Sequence, residues 1–260
     1  MKTKEKKHLL SHVEEGVMHL TLNRPDSLNA FSPEMITDLK DAIKQVKEDE
    51  TIRVLTLSGS GRSFSAGGDV KTMGTNDSIE TYDHIGELNE LILAMRDLEK
   101  PIIAAVHGFA AGAGFNLALA SDLIVAAEDS KFIMSFSQVG LISDGGGSYF
   151  LPRLVGPYRA KELLFSAEPI TVNDAHSLGI VNHVYPLNEF EEKVKELATK
   201  LAHGPTKAYG FIKKLTNQSL TSSLDEVLEQ ERITQATLVT TEDHKEGVQA
   251  FKEKRKPNFK

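Results

Sequence analysis

Hydrophobic residues occur along the chain in short runs that alternate with segments of helical spacing. Val17–Leu22 alternates apolar and polar side chains, and residues 53–58, 102–106, 123–127 and 180–184 form short, mostly apolar runs. Runs of this length and composition predict β-strands. Strands separated by helical segments favour a largely parallel sheet with crossover connections, which predicts an α/β fold.

Helix signals lie between and after these strands. Ser32 followed by Pro33 predicts a helix start, and residues 78–98 predict a long helix that ends before Pro101. After residue 189 the strand pattern stops, and helices are predicted over 189–202, 205–216, 221–240 and 242–254. The sequence therefore predicts a core over residues 1–200 and a C-terminal helical region over 201–260.

Two loops of small residues follow two of the predicted strands. The first is Phe64-Ser65-Ala66-Gly67-Gly68-Asp69, and the second runs from His107 to Asn116 with glycines at 108, 112 and 114. Small residues let a ligand approach the bare backbone. Two backbone N–H groups that converge on one oxygen would form an oxyanion hole, which points to chemistry beside a thioester or similar carbonyl.

Composition excludes several classes of function. The 260-residue chain has 40% hydrophobic and 26% charged residues, no cysteine and a net charge of −7. It can form neither disulfides nor cysteine-held metal sites, and it lacks the basic field of a nucleic-acid-binding protein. No apolar run is long enough to cross a membrane, and the basic start lacks the apolar segment of a signal peptide. We therefore expect a cytoplasmic protein without membrane or nucleic-acid partners.

Common cofactor and metal motifs are missing from the sequence. It contains no nucleotide P-loop, no His-Glu-x-x-His, no Gly-x-Gly-x-x-Gly and no Gly-x-Ser-x-Gly. His84 with Glu87, and the Glu242-Asp243-His244 run, lie in charged helical stretches and are interpreted as surface groups. The sequence thus predicts no metal site and no bound cofactor.

Asp144 lies among Ser143 and three glycines, just before an apolar run. It could be the N-cap of a helix, a position that aspartate occupies well. It could also be a carboxylate in a mostly apolar pocket, where burial would raise its pKa and suit it to proton transfer. The local sequence favours neither interpretation.

Motifs spread over nearly the whole chain resemble the crotonase (enoyl-CoA hydratase/isomerase) superfamily. They are Asn23-Arg24-Pro25, Leu28-Asn29-Ala30, residues 64–71, residues 101–108, Ala118-x-Ala120-Ser121-Asp122, Ala175-x-x-x-Gly179-Ile180-Val181 and Phe251-x-x-Lys254-Arg255. The resemblance implies a spiral of ββα units, a C-terminal helical region used in trimer contacts, and a homotrimer or dimer of trimers. It also implies an acyl-CoA substrate, which itself carries the coenzyme A.

The resemblance assigns roles to individual residues. It implies that the N–H groups of Gly68 and Ala113 form the oxyanion hole. The residues that it places along the substrate and its coenzyme A are Leu28, Ala66, Asp69, Val70, Lys71, Asn116, Phe136, Phe251 and Lys254. The last two belong to the C-terminal helix, which in this family can come from a neighbouring subunit.

Three positions decide which reaction the resemblance implies. Hydratases of the family carry glutamates where this chain has Asn116 and Phe136, and neither an amide nor a phenyl ring can transfer those protons. Asp144 falls where some isomerases, including those resembling ring-epoxide isomerases, keep a single catalytic carboxylate. The sequence favours an acyl-CoA double-bond isomerase with Asp144 as proton shuttle. A weak or broad hydratase and a non-catalytic acyl-CoA-binding protein remain as alternatives.

Overall fold

The computed structural model describes residues 7–69 and 77–259. The strands are β1 (Leu9–Glu14), β2 (Val17–Leu22), β3 (Val54–Gly59), β4 (Ile102–Val106), β5 (Phe109–Ala111), β6 (Leu123–Ala127), β7 (Lys131–Ile133), β8 (Ile170–Thr171) and β9 (His183–Tyr185). The helices are α1 (Pro33–Glu48), α2 (Ser78–Asp97), α3 (Ala113–Leu119), α4 (Gly147–Val155), α5 (Pro157–Ser166), α6 (Val172–Ser177), α7 (Leu187–Ala202), α8 (Thr206–Ser219), α9 (Leu224–Leu238) and α10 (Glu242–Glu253).

Six strands form the main sheet in the order β1-β2-β3-β4-β6-β9, and a smaller sheet has the order β5-β7-β8. In the main sheet every neighbouring pair except β1–β2 is parallel. The succession β4-β5-α3 and the succession β6-β7-α4 each form a ββα unit. This architecture confirms the predicted α/β fold of ββα units, and the region after α7 is helical as predicted.

Helices cover both faces of the main sheet. One face packs against the apolar sides of α1, α2 and α3 in a large core, and the other packs against α7. Phe190 and Val194 of α7 contact a cluster that includes Ile103 and Val125. A sheet covered on both faces explains why β4 consists entirely of buried apolar residues.

Local sequence determines where the two long helices begin. Ser32 accepts a hydrogen bond from Met35 N–H at 3.2 Å, which confirms it as the N-cap of α1. At the start of α2, Asp77 accepts from the N–H groups of Ile79 and Glu80, while the Glu80 carboxylate accepts from Asp77 N–H. This reciprocal capping box satisfies donors that have no partner inside the helix.

The structure differs from the sequence prediction in its short strands. Strands β1, β5, β7 and β8 were not predicted, and the strand predicted at 180–184 is wrong at its start. Ile180 and Val181 donate their N–H groups back to Ala175 O at 2.9 and 3.3 Å, so they finish the turn after α6. Gly179 enables that turn with a φ of +76°. Pairing with β6 therefore begins only at His183.

Side chains fasten α8 to the core. Lys213 is only 8% exposed, and its Nζ lies 2.9 Å from Asp122 Oδ2 and 2.8 Å from Met95 O. Arg53 of the segment before β3 donates from Nε to Thr206 Oγ1 at 2.8 Å.

The division of the chain at residue 200 stays a prediction. Within the described ranges, no helix combines the length and the apolar character needed to cross a bilayer.

Candidate active site

Strand pairing brings the two small-residue loops side by side. Ser65 and Ala110 form a parallel bridge, in which Ser65 N–H donates to Phe109 O at 3.1 Å and Ala111 N–H donates to Ser65 O at 2.9 Å. Gly68 lies three residues after Ser65, and Ala113 lies three residues after Ala110. Because the pairing is parallel and in register, both loops leave it in the same direction.

The loops touch at Gly67, which has a φ of +83°. A Cβ atom added at this position would lie 2.5 Å from Ala111 O and 2.7 Å from Ala113 N. Both the left-handed backbone and the lack of space therefore require glycine here. The sequence predicted that a ligand approaches the bare backbone in this loop, and that stays a prediction. The structure shows that the close neighbour of residue 67 is the backbone of the second loop, at the start of α3.

Two backbone N–H groups lie near the contact between the loops, those of Gly68 and Ala113. The hydrogen bonds of the described residues include Gly112 N–H to Ile133 O at 2.8 Å and Asn116 N–H to Gly112 O at 3.1 Å. Among those residues, the N–H groups of Gly68 and Ala113 have no backbone acceptor. Ala113 is the first residue of α3, so its N–H has no partner inside the helix. Two such donors, one from each of the touching loops, could stabilise one negatively charged oxygen.

Asp144 lies in the turn that precedes α4. The N-cap of α4 is Gly146, and no side chain caps this helix, so Asp144 is not the N-cap that the sequence left open. Within the described part of the chain, its Oδ1 atom is buried and has no hydrogen-bond partner. Burial raises the pKa of Asp144 to about 6, and a bond to its own backbone N–H only partly opposes this effect.

Asn116 holds this turn in place from α3. Its side-chain amide donates to Asp144 O at 2.7 Å and to Ser143 Oγ at 2.9 Å. A Cβ atom at Gly147 would lie 2.3 Å from Asn116 Oδ1, so the start of α4 packs directly on the same amide. The fully buried Asn116 therefore shapes the Asp144 turn. Its contact with substrate stays a prediction.

Replacing Asn116 with alanine is expected to lower kcat about 10-fold to 100-fold, because the lost buried hydrogen bonds are worth about 1–3 kcal/mol. The pH profile of kcat/KM should also shift, since a loosened turn admits water and brings the pKa of Asp144 closer to that of an ordinary carboxyl. Ser143→Ala is the matched control, because it keeps the bond to Asp144 O and should cost less. Unchanged kcat and pH profile in Asn116→Ala would contradict this role.

Aromatic side chains lie beside the second small-residue loop and beside the Asp144 turn. The ring of Phe136 would be 3.7 Å from a Cβ atom on Gly112, at the start of the second loop. Phe150 is 7% exposed and packs against Gly146, in the turn that carries Asp144. The apolar ring of Phe150 is consistent with the burial that raises the pKa of Asp144.

Some of the residues predicted to contact coenzyme A lie in or beside the first small-residue loop. Leu28 O accepts a hydrogen bond from Ala66 N–H at 2.8 Å, so both lie beside the first loop. The Asp69 carboxylate pairs with the Arg24 guanidinium at 3.0 Å, a contact that sequence reasoning missed. Val70 and Lys71 lie outside the described residues.

Phe251 and Lys254 lie at the C-terminal end of α10. Phe251 is 86% exposed, and with Phe259 it lines a cavity of about 580 Å³ between α8, α9 and α10. The cavity is lined by described residues between 205 and 259, and none of them belongs to the two small-residue loops or to the Asp144 turn. The structure thus does not bring them to the site within this single chain, and their contact with coenzyme A stays a prediction.

Sequence reasoning also missed how the first loop is supported. Asn29 is fully buried, and its side-chain amide donates to Ser60 O and Ser63 O, both at 2.8 Å. Its Oδ1 accepts from Arg24 N–H at 2.9 Å. Both residues belong to motifs noticed only through the family resemblance. Nothing in the local sequence indicates that the asparagine is buried and connects three segments.

A main sheet of mostly parallel strands, ββα units and two paired small-residue loops together define a protein of the crotonase class. The sequence profile of the enoyl-CoA hydratase/isomerase family matches residues 12–260. The chain belongs to this family.

Individual relatives match over almost the full length of the chain. The 1,2-epoxyphenylacetyl-CoA isomerase of Escherichia coli K12 is 41% identical, covering 96% of this chain and 97% of the relative. The trans-2-decenoyl-[acyl-carrier-protein] isomerase of Streptococcus mutans is 35% identical, covering 97% and 98%. A crystal structure of an enoyl-CoA hydratase subunit from Geobacillus kaustophilus superposes with a TM-score of 0.92 at 36% identity, covering 99% of both chains. Similarity of this kind extends to isomerases and hydratases alike.

Proposed function

We propose that the protein is an acyl-CoA double-bond isomerase in which Asp144 is the proton shuttle. The observation that carries the proposal is the buried Oδ1 atom of Asp144, which has no hydrogen-bond partner among the described residues. Asn116 and Phe136, at the positions where hydratases carry glutamates, are uncharged. One carboxylate is sufficient for a 1,3 shift of a double bond, because the same group can accept and return the proton.

The proposed reaction starts from a 3-enoyl thioester. The Asp144 carboxylate removes a proton from C2, and the electron pair moves onto the thioester oxygen to give a dienolate. The N–H groups of Gly68 and Ala113 stabilise that oxygen. The protonated Asp144 then returns the proton at C4, which moves the double bond to C2–C3. A pKa of about 6 suits both steps, since it lies close to neutral pH.

Ultraviolet absorbance of the conjugated thioester tests the proposal. With purified protein and a 3-enoyl-CoA, we expect the absorbance to rise, because the product is conjugated. With a 2-enoyl-CoA, we expect little change, because hydration needs groups that Asn116 and Phe136 cannot supply. A rapid fall with the 2-enoyl substrate would instead identify a hydratase, the alternative that the similarity to a hydratase structure favours. Binding without exchange of the C2 proton would identify a non-catalytic protein.

We also propose, from the resemblance to the family, where coenzyme A binds and how the subunits assemble. Coenzyme A would lie along Leu28, Ala66, Asp69, Val70 and Lys71, and Phe251 and Lys254 would reach it from a neighbouring subunit. This requires a homotrimer or dimer of trimers, which we place in the cytoplasm. Exposed apolar residues on α9 and α10 support such an interface; they are Leu224, Leu228, Ile233, Val248 and Phe251. A monomeric mass by light scattering would exclude it.

A further inference from the structure

A second group of chemically active side chains lies on β1 and β2, at one edge of the main sheet. The antiparallel register places His12 directly opposite His19. Their rings are stacked, with centroids 4.6 Å apart and an angle of 16° between the ring planes. Glu14 follows His12 by two residues, and alternation along a strand puts both side chains on the same face.

The three side chains have the spacing of a metal-binding group. One ring nitrogen of each histidine and one carboxylate oxygen of Glu14 all lie within 4.8 Å of one another. Imidazole nitrogens combined with a carboxylate oxygen suit Zn²⁺ and neighbouring divalent transition metals. Three protein ligands leave further coordination positions for water.

A contact behind His19 orients its ring. Nδ1 of His19 lies 2.8 Å from the hydroxyl oxygen of Thr56, which is its neighbour in register on β3. When Nδ1 donates its hydrogen to this oxygen, Nε2 carries the free lone pair. Histidines that bind metals are commonly held in this way by a second partner.

A cation already lies beside this group. Lys195 of α7 places its Nζ 2.9 Å from Glu14 Oε2. The position therefore accommodates positive charge in the folded protein. A metal ion would have to compete with this ammonium group for the Glu14 carboxylate, so Lys195 should weaken metal binding.

We propose that His12, Glu14 and His19 form a binding site for a divalent transition-metal ion of the Zn²⁺ type, separate from the acyl-CoA chemistry. The ion would link β1, an edge strand, to β2 and so stabilise the edge of the sheet. This site departs from the sequence prediction of no metal, because only strand register brings the histidines together. It is independent of the proposed isomerase function.

Isothermal titration of the full chain with Zn²⁺ tests the site. We expect one saturable equivalent, with binding at least 10-fold weaker in His12→Gln and in His19→Gln. Lys195→Met should bind several-fold more tightly, because it frees the Glu14 carboxylate. His84→Gln is the matched control, since His84 has an acidic neighbour three residues away on α2, and it should bind like the unmodified protein.

A thermal shift with Zn²⁺ gives a second measurement. Zn²⁺ should raise the Tm of the unmodified chain but not of His12→Gln, because a metal that binds only the folded state stabilises it. His12 is exposed, so this variant should fold normally. No saturable binding, or equal affinity in both histidine variants and the His84 control, would overturn the proposal.

Discussion

Asp144→Asn is expected to reduce kcat for 3-enoyl-CoA isomerisation by about 10²–10⁴-fold, the usual contribution of a positioned acid–base group. The amide has nearly the shape of the carboxyl but cannot carry the proton from C2 to C4. KM should change little, because the substrate contacts remain. The measurement is the ultraviolet assay of conjugated thioester. Turnover close to that of the unmodified protein would contradict the role of Asp144.

Asp144→Asn should raise the stability of the folded protein although it lowers kcat. The folded-state pKa of Asp144 is raised to about 6 by burial, above the value of about 3.9 expected in the unfolded chain. The folded state therefore loses stability as the pH rises from about 4 to 6, since charging the buried carboxyl is unfavourable. Asp144→Asn lacks this penalty and should be more stable by about 2 kcal/mol at pH 8, with almost no difference at pH 3.5.

Urea denaturation at the two pH values measures this difference. Asp38→Asn is the control, because Asp38 is exposed on α1 and its replacement should alter stability by less than about 0.5 kcal/mol. A variant that is inactive and also more stable at pH 8 would show that the protein keeps an unfavourable carboxyl for function. Equal stability at pH 8 would mean that Asp144 is not buried in its charged form.

Gly67→Ala is expected to lower kcat by about 10²–10³-fold, the cost of losing one oxyanion-hole donor. The added Cβ atom would meet Ala111 O and Ala113 N, which are backbone atoms that no side-chain rotation can move away. The φ of +83° adds strain. The two loops should therefore separate, and the Gly68 and Ala113 N–H groups should no longer form the proposed oxyanion hole. The loss should appear mainly in kcat, because the donors act on the charged intermediate.

Gly86→Ala is the matched control for this substitution. Gly86 lies in α2, and a Cβ atom there would meet nothing within 4 Å. Its replacement should leave kcat unchanged and raise stability by up to about 1 kcal/mol, because alanine is the better helix former. Circular dichroism shows whether Gly67→Ala remains folded. A folded Gly67→Ala with full activity would exclude the proposed oxyanion hole.

The sequence predicts elements best where they are long or bounded by strong signals. Helix α2 matches its prediction to within a residue because twenty residues of helical spacing lie between Asp77 and Pro101. Strands β5 and β8 have three and two residues, too few for an alternating pattern to show. The error at Ile180 has a related cause, since apolar residues in a buried turn look the same as those in a strand.

For the candidate site, too, the sequence predicted some features and the structure decided others. Residue types alone made the two small-residue loops and Asp144 candidates, because small residues let a ligand reach the backbone and a carboxylate can transfer a proton. They left open whether Asp144 caps a helix. The structure decides this, since α4 begins after Gly146, no side chain caps it, and Asp144 Oδ1 has no hydrogen-bond partner among the described residues.

By itself, the sequence determined the α/β class, the helical C-terminal region and the residues from which a carbonyl site could be built. Those properties follow from local composition and spacing, which act over a few neighbouring residues. Only the tertiary structure decided which atoms meet: Gly67 against Ala113, Asn116 against the Asp144 turn, and His12 against His19. Each of these contacts depends on strand register or on helix packing, which neighbouring residues in the sequence do not determine. A shift of one residue in register would turn each strand's side chains to the opposite face.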